Sequence, residues 1–506
     1  MTMAPARPAT GVPPVAWRPL LAVGGTLAAL LIVLSDRYGY HRDELYFLQA
    51  GQHLAWGYPD QPPLTPAVAR LVSTLAPDSL VALRVPSALL AAGVVVLTGL
   101  IAREFGGGRA EQLLSASCMA VSAALLLIGH LFGTTMIDLF CWVAVCWIAA
   151  RLLRGCDPRW WLALGAVLGI GMLNKSLLAV LPIALLVGVG IAGPRSVLTN
   201  RWFVIAVVMA VLMVTPNLLW QNANGWPQVT LSRAIAAGES GSSQPRWLFL
   251  PYQLVLISPI LVPVWVIGLG RLFTATALVR FRCFGWTYAV LFLAFLAAAG
   301  KPYYLVGLYP VLLAAGAPVV VAWLRRRAPA TRWITVIGAL ALSLIINATL
   351  MLPLLPVQAM AVSPIADVNY DGGETAGWPE FVWTVAGVVN NLPAGERDAV
   401  VLLTGNYGEA GAIDLFGPAA GLPPAYSGHN AFALWGPPPD VPGHGVVVAV
   451  GLTRQVLAQY FDSVTEAARI DNTVDLDNDE QGRSVWVCRG QRTLWSQMWP
   501  QLSRFG

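Results

Sequence analysis

Residues 18–35 read Arg18-Pro19-Leu20-Leu21-Ala22-Val23-Gly24-Gly25-Thr26-Leu27-Ala28-Ala29-Leu30-Leu31-Ile32-Val33-Leu34-Ser35, and the chain continues Asp36-Arg37-Tyr38-Gly39-Tyr40-His41-Arg42-Asp43-Glu44-Leu45-Tyr46-Phe47. The first stretch carries no charge after Arg18, and about 20 apolar residues cross a bilayer as a helix. No small-residue cleavage site follows it, so it reads as an uncleaved anchor. The second stretch turns at once to acids, arginines and tyrosines. A membrane span leading into an acidic, aromatic loop frames the reading of everything downstream.

The rest of the chain repeats the first stretch. Of 506 residues 57% are hydrophobic and 11% charged, and the mean hydropathy is +0.64. A soluble domain is about 25% charged. Apolar segments recur at about 18–35, 80–102, 112–130, 134–150, 159–173, 176–193, 202–220, 247–269, 284–300, 303–324 and 333–355. The expected fold is a multi-spanning α-helical membrane protein with about eleven transmembrane helices. The pair 159–173 and 176–193 is short, and would be one long span were Asn174-Lys175 buried.

Arginine placement supports eleven. With the N-terminus cytoplasmic, the cytoplasmic loops hold Arg103 and Arg109; Arg151, Arg154 and Arg159; Arg195 and Arg201; Arg271, Arg280 and Arg282; and Arg325, Arg326, Arg327 and Arg332. Every one is basic, as the positive-inside rule requires, and merging the short pair would invert the loops that follow. A multi-pass protein of the cell (inner) membrane is expected, its C-terminus outside the cytoplasm. The arginine-rich, lysine-poor composition fits a GC-rich bacterial genome. A net charge of +5 without a basic run offers nothing to nucleic acid. The six cysteines lack metal-ligand or redox spacing.

Three outer segments result. The first is the loop at 36–79. The second is 221–246, polar and flexible around Gly238-Glu239-Ser240-Gly241-Ser242-Ser243. The third is the tail 356–506, which follows a membrane domain of residues 1–355 and alternates strand-like runs (Val400 to Thr404, Val446 to Val450, Ser484 to Cys488) with helical ones (Glu380 to Asn390, Thr453 to Phe461). It reads as a small extracytoplasmic α/β domain.

Polar residues that the bilayer penalises stand out. Asp43 and Glu44 point to different faces of a helix, so one can act as a base while its neighbour holds the backbone; equally, both can cap an interfacial helix. Asp138 lies near the outer end of a span, where an acid costs roughly 2.5–3.5 kcal/mol unless the helix N-terminus favours it. Of 31 basic residues only Lys175 and Lys301 are lysines, and both fall at outer ends of spans. Outer positive charge suits a phosphate headgroup, with snorkelling as the alternative. Arg84 either joins them or snorkels. His41, His53, His130, His429 and His444 form no metal-ligand pattern.

The acidic loop with its continuation Gly57-Tyr58-Pro59-Asp60-Gln61-Pro62-Pro63-Leu64 resembles the first outer loop of glycosyltransferase family 39. Arg84-Val85-Pro86-Ser87-Ala88-Leu89, the Asp138 helix, Gly171-Met172-Leu173-Asn174-Lys175 and Lys301-Pro302-Tyr303-Tyr304-Leu305 follow in family order. That family includes protein O-mannosyltransferases and lipid A aminoarabinose transferases. The resemblance implies the GT-C fold and an inverting transfer from a polyprenyl-phosphate sugar to an acceptor (protein, lipid or cell-envelope glycan) at the outer face. It implies Asp43 as base, Glu44 as its support and Asp138 as a second acid. Lys175, Lys301 and Arg84 would hold the donor phosphate, and His41, Tyr58, Tyr303 and Tyr304 would line the cavity. A divalent cation (Mg²⁺ or Mn²⁺) on Asp43, Glu44 and Asp138 stays open. The tail, with Asn406-Tyr407-Gly408-Glu409-Ala410-Gly411 and Ala425-Tyr426-Ser427-Gly428-His429-Asn430, departs from the eukaryotic members and is left either to bind a different acceptor or to cover the site. The alternative function is a transporter or flippase of a lipid-linked sugar.

Overall fold

A computed structural model describes residues 11–238, 245–326, 329–440 and 445–505. Glu239 to Ser243 of the stretch expected to be flexible, with Arg327 and His444, lie outside the described residues. Each of the eleven apolar segments is helical. Six helices are long and apolar enough to cross a membrane: Leu80–Glu104, Thr134–Arg154, Arg201–Ala223, Thr276–Ala297, Pro302–Leu324 and Ala330–Met351. Two more segments are bent pairs, Arg109–Ala120 with Ala123–His130 at 61° and Arg246–Val255 with Pro259–Thr274 at 76°. The others, Trp17–Val33, Trp160–Met172 and Ser176–Ala192, are shorter. The chain is a multi-pass membrane protein. One apolar helix, Leu64–Leu75, is an addition to the expected set and lies within the first outer loop.

The short pair does not merge. Asn174 is fully buried, the condition under which one long span was conceivable, yet the chain turns there. Its amide explains why. The Asn174 carbonyl accepts from Thr65 Oγ1 at 2.6 Å, and its NH₂ donates to the Thr134 carbonyl at 2.7 Å. The Leu173 carbonyl accepts from the Leu64 N–H at 2.9 Å. These bonds knot the turn to the first outer loop and to the start of the Thr134–Arg154 helix, so Lys175 and Asp138 reach one place.

The tail carries a five-stranded sheet of order β2-β1-β3-β5-β4, with β1 Val401–Thr404, β2 Ala425–Ser427, β3 Val446–Val450, β4 Phe461–Arg469 and β5 Ser484–Gln491. β1 runs parallel to β2 and β3, while β5 is antiparallel to β3 and β4. The strand-like runs read at 400–404, 446–450 and 484–488 are β1, β3 and β5, and the Trp378–Asn390 helix covers the expected 380–390. The expected helix at 453–461 shrinks to Arg454–Leu457 because β4 begins at Phe461. β4 is an edge strand, polar and largely exposed, so it lacks the alternation that marks a strand with one buried face.

Replacing Asn174 with Leu strands the Thr65 hydroxyl and the Thr134 carbonyl in a dry turn. A loss of about 2–3 kcal/mol is expected, read as a lower thermal unfolding midpoint in detergent than wild type; an unchanged midpoint would remove the knot from the fold.

Candidate active site

The first outer loop is organised from the N-terminus of the Arg42–Gln52 helix. His41 caps it, its Nδ1 accepting from the Asp43 N–H at 3.1 Å, and Glu44 Oε2 reaches back to the His41 N–H at 2.8 Å. Glu44 does more than cap. Arg84 donates from Nε to Glu44 Oε1 at 2.8 Å and from Nη2 to Oε2 at 2.7 Å, and the Phe132 N–H adds a bond to Oε1 at 2.8 Å. Arg84 Nη1 serves the Ser35 carbonyl (2.7 Å) and faces His130 Nε2 (3.3 Å), and its Nη2 also serves the Gly39 carbonyl (2.8 Å). All its donors are engaged, and both side chains are buried. The pair therefore holds the loop against the second span. Glu44 caps the helix and holds its backbone, as one sequence reading of the acidic pair had it, whereas Arg84, expected on a phosphate, is spent on Glu44.

Asp43, one residue earlier and on another face, is half-buried. Tyr407 of the tail donates to Asp43 Oδ1 at 2.8 Å. Its ring packs between Tyr46 and His429, with centroids 4.7 and 4.8 Å away. Tyr46 in turn donates to Asp60 Oδ1 at 2.7 Å. Loss of hydration pushes the Asp60 carboxyl up to about 7, against the pull of the Tyr46 bond. Burial and the nearby Arg504 and Arg42 pull His429 down to about 3, so it stands as neutral imidazole. Its two ring nitrogens have no hydrogen-bond partner among the described residues.

The tail reaches this loop by close packing. A β-carbon on Gly408 would meet the Arg42 side chain at 2.8 Å, and one on Gly411 would meet Leu45 at 2.9 Å, so the Tyr407–Phe416 helix lies directly on the Arg42–Gln52 helix. Arg42 locks the contact through Asp479 at 2.7 Å and the Tyr370 hydroxyl at 3.0 Å. Asp371 sits 3.6 Å from His41 Nε2. Burial disfavours the imidazolium, but Asp371, Asp43 and Glu44 together outweigh it and raise His41, while His41, with Arg42 and Lys301, holds Asp371 below the usual carboxylate range against its burial.

The positive side is built separately. The Lys175 ammonium lies 5.6 Å from the Tyr303 ring centre and 5.5 Å from that of Tyr304, and Lys301 lies 6.0 Å from Tyr303. No carboxylate lies within ion-pair distance of either lysine among the described residues. Burial pulls Lys301 down to about 8, helped by Lys175 and Arg42 and opposed by Asp43 and Asp371. Lys301 thus feels both halves of the site. Asp138 is buried beside Lys175 and Trp142, its Oδ1 without a hydrogen-bond partner among the described residues.

Of the expected residues, then, Asp43, Asp138, Lys175, Lys301, Tyr303 and Tyr304 gather, and Glu44 with Arg84 stands behind them as scaffold. His41 is a cap. Tyr58 is spent inside its own turn, donating to the Ala50 and His53 carbonyls at 3.0 and 3.1 Å. The cation set of Asp43, Glu44 and Asp138 is not assembled, since Glu44 is saturated by N–H donors and no group of three such residues able to hold a metal occurs among the described residues. Asp60, Asp371, Tyr407 and His429 were given no role from sequence. Asp60, Tyr407 and His429 lie within motifs singled out for other reasons, whereas Asp371 carries no local signal.

The sequence model of a family described as dolichyl-phosphate-mannose-protein mannosyltransferase matches residues 60–220. The match bears out the resemblance read from the motifs, though it stops short of Asp43 and Lys301. No curated protein matches the chain in sequence. Among solved structures, ArnT from Cupriavidus metallidurans in the apo state superposes with a TM-score of 0.58 at 15% identity, covering 93% of this chain and 98% of that one. The same protein bound to undecaprenyl phosphate gives 0.59 at 14% identity, covering 92% and 97%. The fold is of the GT-C type, over nearly the whole of both chains. Neither likeness supports the transporter alternative.

Two outcomes are expected. Arg84→Leu leaves the Glu44 carboxylate buried and unpaired and costs about 3–5 kcal/mol, so little folded protein should be recovered. Glu44→Gln/Arg84→Met should recover more than Arg84→Leu, measured as monodisperse yield in detergent. Asp60 keeps its proton in the folded chain to about 7 but releases it near the usual value of about 4 when unfolded. The folded state binds the extra proton between those values, so stability falls as pH rises from about 4 to 7. Asp60→Asn should flatten that part of the melting-temperature profile.

Proposed function

We propose that this protein is an inverting glycosyltransferase that moves one sugar from a polyprenyl-phosphate donor to an acceptor hydroxyl at the outer face of the membrane. The observation that carries the reading is the pair of lysines, each against a tyrosine face and neither ion-paired among the described residues, with Lys301 near enough to feel the Asp43 carboxylate. Transfer of a glycosyl group from a phosphate needs a base at the acceptor and positive charge on the leaving phosphate. ArnT, whose fold this chain shares, has been seen with undecaprenyl phosphate, which supports a donor of that class.

In this reading Asp43 removes the proton of the acceptor hydroxyl as its oxygen attacks the anomeric carbon. The bond to the phosphate oxygen breaks on the opposite face, and Lys175 and Lys301 take up the charge that develops there. The Asp138 carboxylate acts on Lys175 through space, and Tyr303 and Tyr304 wall the cavity beside the phosphate. Tyr407 donates a hydrogen bond to the Asp43 carboxylate, so the tail domain of residues 356–506 completes the acceptor side. The family resemblance points to a hexose or pentose as the sugar.

Transfer from a synthetic polyprenyl-phosphate sugar tests the assignment. Asp43→Asn should lose roughly 10²–10⁴-fold in rate, and Lys301→Met about 10²–10³-fold; wild-type turnover in Asp43→Asn would remove it as base. The ammonium of Lys301 is held down to about 8, so the rate should fall as pH rises through that value, and Lys301→Arg should carry activity further into the alkaline range.

A further inference from the structure

The other end of the membrane part holds an apolar groove with a cavity volume of about 100 Å³. Its walls include Ala149, Leu153, Trp161, Leu186, Phe203 and Val207, and its lining is wholly apolar. Leu186 and Val207 are exposed at its lips, so it opens sideways towards lipid. Along the Thr134–Arg154 helix, Ala149 is roughly 16 Å from Asp138 at 1.5 Å per residue. The groove is therefore displaced by about half a bilayer from the lysines that face the donor phosphate.

Two arginines stand at its mouth. Arg159 precedes Trp161 and Arg201 precedes Phe203 by two residues. Their guanidinium carbons lie 5.8 and 5.0 Å from the centre of one indole, that of Trp202. Both are exposed, and neither forms an ion pair among the described residues. The neighbouring acid Asp157 is directed to the Arg159 N–H at 2.9 Å. Like charges gathered on one ring repel, and that repulsion is relieved by an anion. An anion at the head of an apolar slot describes an amphiphile.

We propose that this groove binds one anionic phospholipid of the leaflet opposite the active site, its phosphate between Arg159 and Arg201 and an acyl chain against Trp161, Leu186 and Phe203. Charge complementarity selects an anionic headgroup, and distance from Lys175 and Lys301 selects a bilayer phospholipid over the polyprenyl chain of a donor. The proposal is independent of the transferase reading.

The full chain, placed in nanodiscs of equal phosphatidylglycerol and phosphatidylcholine and released for native mass spectrometry, reports which lipid stays bound. Wild type should retain phosphatidylglycerol in preference. Arg159→Gln/Arg201→Gln should lower that preference by about fivefold per arginine, while Arg159→Lys/Arg201→Lys keeps it. Ala149→Trp should fill the slot and abolish retention with the melting temperature preserved. Equal retention of both lipids by wild type overturns the proposal, as does displacement of the retained lipid by one equivalent of undecaprenyl phosphate.

Discussion

The buried pair of Glu44 and Arg84 is the constraint on which the outer half of the molecule depends. Two full charges out of water are costly, and the cost is offset only where every donor and acceptor is matched. Here each Glu44 oxygen takes two N–H bonds and each Arg84 nitrogen has a partner. The bonds reach four separate pieces of chain: the end of the first span at Ser35, the loop at Gly39 and His41, the second span at Arg84, and the break before Thr134 at Phe132. Once that node is made, the Arg42–Gln52 helix has one orientation. Asp43, about 100° around the helix from Glu44, must face away from the node and towards the tail.

The same division of labour governs charge across the site. Of the buried acids, Glu44 is saturated by N–H donors and Asp60, its value pushed up to about 7, keeps its proton below that pH. The cations divide likewise. Arginines, with forked donors that suit fixed carbonyls and carboxylates, hold structure at Arg84 and Arg42. The two lysines of the chain, compact charges on flexible stems, lie against tyrosine faces. An aromatic face stabilises an ammonium without neutralising it, so the charge stays available to a phosphate.

The parts of this arrangement legible from sequence are those the bilayer dictates. Apolar length exposed eleven helical segments of the membrane part, though not the Leu64–Leu75 helix of the first outer loop, and the rarity of charge exposed Asp138, Lys175 and Lys301. The division between Asp43 and Glu44 was not legible, because adjacent acids differ only in what the rest of the fold places opposite each, and Arg84 is forty residues away. Nor did sequence separate the buried amide of Asn174, which turns the chain, from one that would let a helix run on. Tyr407 and Asp371 escaped because their partners Asp43 and His41 lie more than 300 residues earlier, and His429 because its place depends on that of Tyr407. Their surroundings are a polar tail whose edge strand β4 has no clean period.

The bond from Tyr407 to the Asp43 carboxylate bears on the proposed reaction as well as on packing. There the acceptor hydroxyl must compete with the Tyr407 phenol for the same carboxylate. Neutral His429, stacked on Tyr407 and with both ring nitrogens free of protein partners among the described residues, can donate to or accept from an incoming hydroxyl without adding charge. An uncharged polyol suits such a wall better than a phosphate does, since the nearby Asp43 and Asp371 carboxylates repel anions and Arg42 is already engaged with Asp479. In the proposed reaction the tail then acts on acceptor choice through this competition for Asp43 as well as through shape.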